Sequence, residues 1–184
     1  MAGLADARRR AGLTALYLGI FATIWLSVPA AGPPLGAVLV AASVAALMTA
    51  GAGGALVVRA RTEGPMTRDA AGDRKYLVIF AAELAAAGFG AVLLAVTGRS
   101  AYIPVLIGAV VGAHFWPLAP VLRDPALRVL AILVCLAAFA GLIAGAVSSV
   151  PPGTVVGAGV GVLLLGYAIG ALIRGAMTLR ATPG

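Results

Sequence analysis

The chain has 184 residues, of which 62% are hydrophobic and 10% are charged, and its formal net charge is +7. A soluble domain of this length keeps much of its surface in water and needs many more polar residues to cover it. The composition therefore excludes an ordinary soluble fold and predicts a protein embedded in lipid. An excess of Ala, Gly, Val and Arg over Ile and Lys is typical of a GC-rich bacterial genome, so we expect a bacterial inner membrane.

Six segments, in chain order, are long and apolar enough to cross a bilayer as helices. The hydrocarbon layer is about 30 Å thick and a helix rises about 1.5 Å per residue, so one span needs about 20 apolar residues. The sequence thus predicts an all-α integral membrane protein with one transmembrane domain over residues 1–184 and a cytoplasmic loop at 59–75. The predicted helices are 12–30, 35–58, 76–97, 102–122, 126–149 and 153–173.

The first segment has an alternative interpretation. Arg8 to Arg10, an apolar core and the small residues around Ala30 also resemble a cleavable secretory signal. We interpret the segment as a membrane helix, and cleavage would leave the orientation of the other five helices unchanged.

The connections on one side of the predicted bundle are short and rich in turn residues. They contain Pro29 and Gly32 to Pro34, then Gly98 to Ser100, then Pro151 to Gly153. Short turns make consecutive helices antiparallel neighbours, so the six helices are predicted to form three hairpins. The tripeptide Ser-Val-Pro occurs at two of the tips, which is too short a match to establish an internal duplication.

The basic residues define an orientation. Twelve of the thirteen Lys and Arg residues lie in the two tails and in alternate connections, and Arg99 is the exception. Cytoplasmic loops of membrane proteins carry such an excess, so both termini are predicted to be cytoplasmic. The same bias explains the net charge without a nucleic-acid partner, and we predict none. The twelve residues are Arg8, Arg9, Arg10, Arg59, Arg61, Arg68, Arg74, Lys75, Arg123, Arg128, Arg174 and Arg180.

Two ionisable side chains lie inside the predicted hydrocarbon layer, Glu83 on the third helix and His114 on the fourth. Glu83 is about 10 Å from the cytoplasmic end of its helix and His114 about 12 Å from the end of its own, at about 1.5 Å per residue. Because such residues are costly in lipid, they usually face a partner or a wet cavity. Antiparallel neighbours would bring these two to the same depth.

A glutamate beside a histidine can share a proton, whereas a lone carboxyl group in lipid would favour its neutral form. The pair is therefore a candidate ligand or proton site. The alternative is a fixed hydrogen bond that holds two helices together and never changes its protonation state.

Two further candidate site residues, Trp116 and Pro117, follow His114. Pro117 and Pro120 lack an N–H, so the carbonyl groups four residues earlier, at Ala113 and Trp116, lose their helical partner. In a bilayer such groups are tolerated where they are buried in protein or line a cavity. We therefore predict a kinked helix with two freed carbonyl groups beside His114.

The run Gly112-Ala113-His114-Phe115-Trp116-Pro117-Leu118-Ala119 resembles a Gly-x-His-Phe-x-Pro-Leu-Ala signature of small, uncharacterised multi-helix membrane proteins of bacteria. The resemblance covers about ten residues. It implies that the His-Pro segment is a family feature, and it implies no activity.

Glycines four residues apart suit close helix packing in lipid. We expect them to pack helices within the bundle, with a homo-oligomeric interface as the alternative. The glycine pairs are Gly108 and Gly112, Gly141 and Gly145, Gly157 and Gly161, and Gly166 and Gly170.

The basic and acidic residues of 59–75 are predicted to form a solvated linker near the headgroups, with a partner site as the alternative.

Several chemistries lack their motifs. The sequence has no phosphate-binding loop, no His-Glu-x-x-His, no nucleophile elbow and a single cysteine, Cys135, so no catalytic residue, metal or cofactor is predicted. Transport of a small solute or ion through a proton-responsive site is the leading hypothesis. The alternatives are a non-catalytic subunit or partner of a larger membrane complex, which also fits the size of some vitamin-importer subunits, and an intramembrane enzyme using Glu83 and His114 as acid and base.

Overall fold

All six apolar segments form helices, because backbone groups away from water must bond to one another and a helix achieves this within one segment. The computed structural model describes residues 2–29, 31–61, 70–122 and 124–180, and of 2–5, 61, 70–73 and 178–180 only the backbone. No strand occurs among these residues, so the all-α prediction is confirmed. The helices are α1 (Ala2–Ser27), α2 (Leu35–Arg61), α3 (Ala70–Val96), α4 (Ile103–Leu122), α5 (Ala126–Val147) and α6 (Pro152–Arg180), and a 3-10 helix, Ser100–Tyr102, precedes α4.

Each helix contains a stretch that is long and apolar enough to span a membrane. This is the architecture of a multi-pass membrane protein. The six stretches are Asp6–Ser27, Leu35–Ala60, Arg74–Val96, Ser100–Leu122, Ala126–Val147 and Pro152–Met177.

Several helices extend beyond the apolar segments from which they were predicted. The start of α1 lies at Ala2 rather than residue 12, α3 starts at Ala70 rather than 76, and α6 ends at Arg180 rather than 173. Hydrophobicity marks where the chain enters lipid, whereas a helix continues as long as its backbone bonds and propensities permit. Both ends of the predicted 59–75 loop are therefore helical. Residues 62–69 and Arg123 lie outside the described residues.

The chain divides into two compact units. The first contains α1, α2 and α6 from Gly161 onward. Here glycines permit close backbone contact: a Cβ added to Gly12 would lie 2.8 Å from the carbonyl oxygen of Gly53 on α2, and one added to Gly161 would lie 2.6 Å from Cγ of Leu26 on α1. These contacts run antiparallel along α1 and fix its two neighbours.

The second unit contains α3, α4, α5 and residues 152–160 of α6. A Cβ added to Gly112 of α4 would lie 2.6 Å from Sγ of Cys135 on α5. A Cβ added to Gly141 of α5 would likewise collide with the side chain of Val156 on α6. Gly112, Gly141 and Gly161 thus pack helices within their own units, as predicted, whereas nothing lies within 4 Å of a Cβ added to Gly166.

The connection after α3 determines how the next helix can approach it. Gly98 has φ +71, and its N–H donates to the carbonyl group of Ala95 at 3.1 Å. The N–H of Arg99 donates to Leu94 at 2.8 Å. This pair of bonds is a Schellman motif, which needs a left-handed residue at its turn and so favours glycine. The helix ends there, and the chain enters α4 within a few residues.

Candidate functional site

One face of α3 contains Glu83. Along this helix the partly covered residues recur every three or four positions, with Ala91 in addition, whereas the other residues from 74 to 96 are exposed. That spacing corresponds to a single helical face. The partly covered positions are Ile79, Glu83, Ala87, Gly90, Ala91 and Leu94.

The facing side of α4 contains His114. Leu106 of α4 packs directly against Gly90 of α3, and Leu106 and His114 lie eight residues apart on one face of α4. Glu83 lies seven residues before Gly90 on α3. The two helices therefore run antiparallel across this contact, and the register aligns Glu83 with His114.

The two ionisable side chains meet. His114 Nδ1 lies 3.0 Å from Glu83 Oε2, and the side chains are 9% and 16% exposed, respectively. The nitrogen has no aligned hydrogen bond, so proximity rather than linear geometry defines the contact. The close approach expected from the matching depths is thus present, whereas the role of the pair as a site stays a prediction.

The surroundings of the pair are mostly apolar. The ring of Phe115, which is buried, meets the imidazole edge to face with centroids 5.7 Å apart. A Glu-His pair can be negative, neutral or positive overall, depending on how many protons it holds. In a setting of low polarity these states differ in how strongly they attract a cation or an anion. The arrangement can therefore couple proton binding to ion or solute binding.

The other two predicted site residues lie on a different part of α4. Trp116 is 54% exposed and Pro117 is also exposed, whereas His114 is largely covered. Trp116 is two positions after His114, and residues at that spacing do not face each other on a helix, which explains why the two differ in exposure. Pro117, three positions after His114, is exposed although this spacing makes it a neighbour of the histidine. Their part in a site stays a prediction.

The prolines of α4 lie inside one continuous helix. Pro117 nevertheless cannot donate to the carbonyl group of Ala113, which is adjacent in the chain to His114. Near the end of the helix the N–H of Asp124 donates to Ala119 at 3.0 Å. The C-terminal half of α4 therefore lacks one helical bond beside His114 and has a wider bond at its end.

Among the described residues, no three His, Cys, Asp or Glu side chains lie close enough together to hold a metal ion. Cys135 is a free thiol whose Sγ lies 4.0 Å from the carbonyl oxygen of Ala109, and it packs at the α4–α5 contact.

Comparisons with protein-family models, with curated proteins and with solved structures give no match. The fold and the site accordingly define a class only, a multi-pass helical membrane protein with an ionisable pair within its apolar spans.

Proposed function

We propose that this protein moves a small solute or ion across the bacterial inner membrane and that Glu83 and His114 form its proton-responsive site. In this proposal the helices form three hairpins, and both termini are cytoplasmic, as the distribution of basic residues predicts. Trp116 and Pro117 complete the site from the neighbouring turn of α4.

The contact between Glu83 and His114 carries the proposal. Two ionisable groups within apolar spans are rare because their desolvation is costly, and in membrane proteins they often belong to ion pathways and proton relays. A separation of 3.0 Å brings the carboxylate and the imidazole close enough for a proton to pass between them once the two groups are aligned. Loading or releasing that proton changes the charge offered to a solute at this depth.

The proline-containing end of α4 supports the same proposal. The carbonyl group of Ala113 has no N–H partner at Pro117, so it remains available to a cation or a water molecule. Transporters commonly build their sites from such interrupted helices. Here the available carbonyl group belongs to the residue that precedes His114.

The experiment is a flux assay on purified protein in liposomes that enclose a pH-sensitive dye. Opposed gradients of Na⁺ or K⁺, or a potential set with valinomycin, provide the driving force, and internal pH is the readout. We expect protein-dependent proton movement in the wild type. Glu83→Gln and His114→Ala should each reduce it by tenfold or more, on the order of the loss seen when a proton-transfer group is removed.

The control variant is Arg99→Gln, which removes an exposed charge far along the chain from both residues. It should retain wild-type flux. Equal flux in Glu83→Gln and wild type, or no protein-dependent flux under any of these gradients, would contradict the proposal. If Glu83 and His114 stabilise the fold and the protein shows no flux, the pair acts instead as a fixed contact that holds two helices together.

A second candidate function is that of a non-catalytic partner in a larger membrane complex, and the exposure of α3 favours it. None of the apolar stretch of α3 is buried, compared with 22% to 39% for the other five helices. A helix with so few contacts in its own chain leaves a long surface, with Phe89 at its middle, for lipid or for another protein.

Photo-crosslinking distinguishes these occupants. A photoreactive residue at Phe89 should capture a discrete second protein in native membranes if α3 is a docking helix, and a residue at Ala137 of α5 serves as the partly covered control. Capture of lipid alone at Phe89 would contradict the partner role.

A further inference from the structure

One buried arginine ties together two helices of the first unit. Arg9 of α1 is 7% exposed, and its Nη2 donates to the carbonyl oxygen of Ala60 on α2 at 3.2 Å. Its Nη1 lies 3.8 Å from Oδ1 of Asp6. Because Ala60 is in the last turn of α2, the guanidinium also satisfies one of the carbonyl groups that a helix leaves open at its C-terminus.

Three exposed arginines lie near this level of the unit, one on each of its helices. Arg10 follows Arg9 on α1, Arg59 precedes Ala60 on α2, and Arg174 precedes Gly175 on α6. A Cβ added to Gly175 would lie 2.9 Å from Cβ of Ala11, which places this part of α6 against the start of α1. With a rise of about 1.5 Å per residue, the three arginines lie within about one helical turn of the same level.

The arginines lie at the level where the apolar spans end. The spans of α1, α2 and α6 have their limits at Asp6, Ala60 and Met177, on the same end of the unit. Long basic side chains at such positions extend toward the lipid headgroups while their methylene groups stay in the apolar layer. In the structure Arg174 instead folds its guanidinium back over the ring of Tyr167, 5.5 Å from the centroid, so this side chain has to turn outward to reach a headgroup.

We propose that this arginine cluster, formed by Arg10, Arg59 and Arg174 around Arg9, binds the headgroup of an anionic phospholipid. Among the described side chains of this unit there are five arginines and one carboxylate, that of Asp6. Guanidinium groups bind phosphate through paired hydrogen bonds, and three helices provide them from different directions. Basic pockets between membrane helices at the cytoplasmic side are suited to anionic lipids. This inference is independent of transport.

The experiment measures lipid binding to the full chain in detergent by native mass spectrometry. Titration with phosphatidylglycerol and with phosphatidylcholine gives a Kd for the first bound molecule of each. We expect phosphatidylglycerol to bind more tightly. Arg10→Gln and Arg174→Gln should each weaken its binding about fivefold, since each arginine near an anionic surface has an effect of that order. The Kd for phosphatidylcholine should not change.

The matched control is the pair Arg74→Gln and Lys75→Gln, which removes two exposed cations from α3 in the other unit. It should leave the Kd for phosphatidylglycerol within about twofold, because unspecific attraction to positive charge is weak once the site is intact. Arg10→Lys with Arg174→Lys should keep part of the affinity, since the charge remains while the paired hydrogen bonds are lost.

Three results would overturn the inference. Phosphatidylcholine could bind as tightly as phosphatidylglycerol, the Arg74 and Lys75 variant could lose as much affinity as the arginine variants, or millimolar inorganic phosphate could displace the bound lipid. Thermal unfolding of each variant establishes that it is folded. Arg9 is left intact because its bond to Ala60 is part of the fold.

Discussion

At the scale of single residues, the close approach of Glu83 and His114 could be predicted from the sequence. Helix rise is constant, so counting residues from each predicted end gives a depth, and the two depths agree. The angle at which each helix is rotated about its axis cannot be counted in this way. Trp116 and Pro117, chosen because they follow His114 in the chain, accordingly lie on an exposed part of α4.

The same pair gives a stability prediction. Glu83→Ala and His114→Ala should each destabilise the protein, and the double variant should be less unstable than the sum because both single variants remove the same contact. The expected coupling is about 0.6 kcal/mol, with an upper value of about 1.7 kcal/mol, as found for side-chain hydrogen bonds between membrane helices. Unfolding in mixed micelles by SDS titration measures it. Additive effects would mean that the 3.0 Å contact makes no energetic contribution.

At the scale of elements, the close contact between α4 and α5 depends on Gly112. A Cβ there would lie 2.6 Å from Sγ and 2.9 Å from the backbone nitrogen of Cys135, so the two helices would have to separate. Gly112→Ala should therefore reduce the free energy of unfolding by about 1–3 kcal/mol, the usual cost of overpacking.

Gly166 provides the matched control on α6, since nothing lies within 4 Å of a Cβ added there. Gly166→Ala should be neutral or should stabilise the helix by up to about 1 kcal/mol, because alanine restricts the unfolded chain and favours the helix. Equal destabilisation by the two substitutions in the same unfolding assay would show that glycine spacing, rather than contact, determines the effect.

The positions of the six helices could also be predicted from the sequence, and their ends could not. Apolar length locates the membrane span, and all six spans are present. The additional helical turns contain charged residues such as Asp6 and Lys75. A prediction from hydrophobicity leaves such residues out of the span, whereas a helix tolerates them outside lipid. The contact between Gly112 and Cys135 was likewise beyond prediction, because four-residue glycine spacing is frequent in a chain with 25 glycines.

At the scale of the whole molecule, the distribution of positive charge predicts which side of the membrane each connection occupies. Twelve basic residues lie in one set of connections and tails, and Arg99 alone lies in the other set. Because cytoplasmic loops retain Lys and Arg during insertion, Lys75 should be inside the cell and Ser149 outside. In a Cys135→Ala background, a membrane-impermeant maleimide applied to intact spheroplasts should label Ser149→Cys, whereas Lys75→Cys should react only after the membrane is opened. Both replaced residues are exposed, so accessibility within the protein does not separate them. The reverse labelling pattern would invert the protein and move the arginine cluster to the outer face, while labelling of both positions from outside would require an even number of spans between them instead of three.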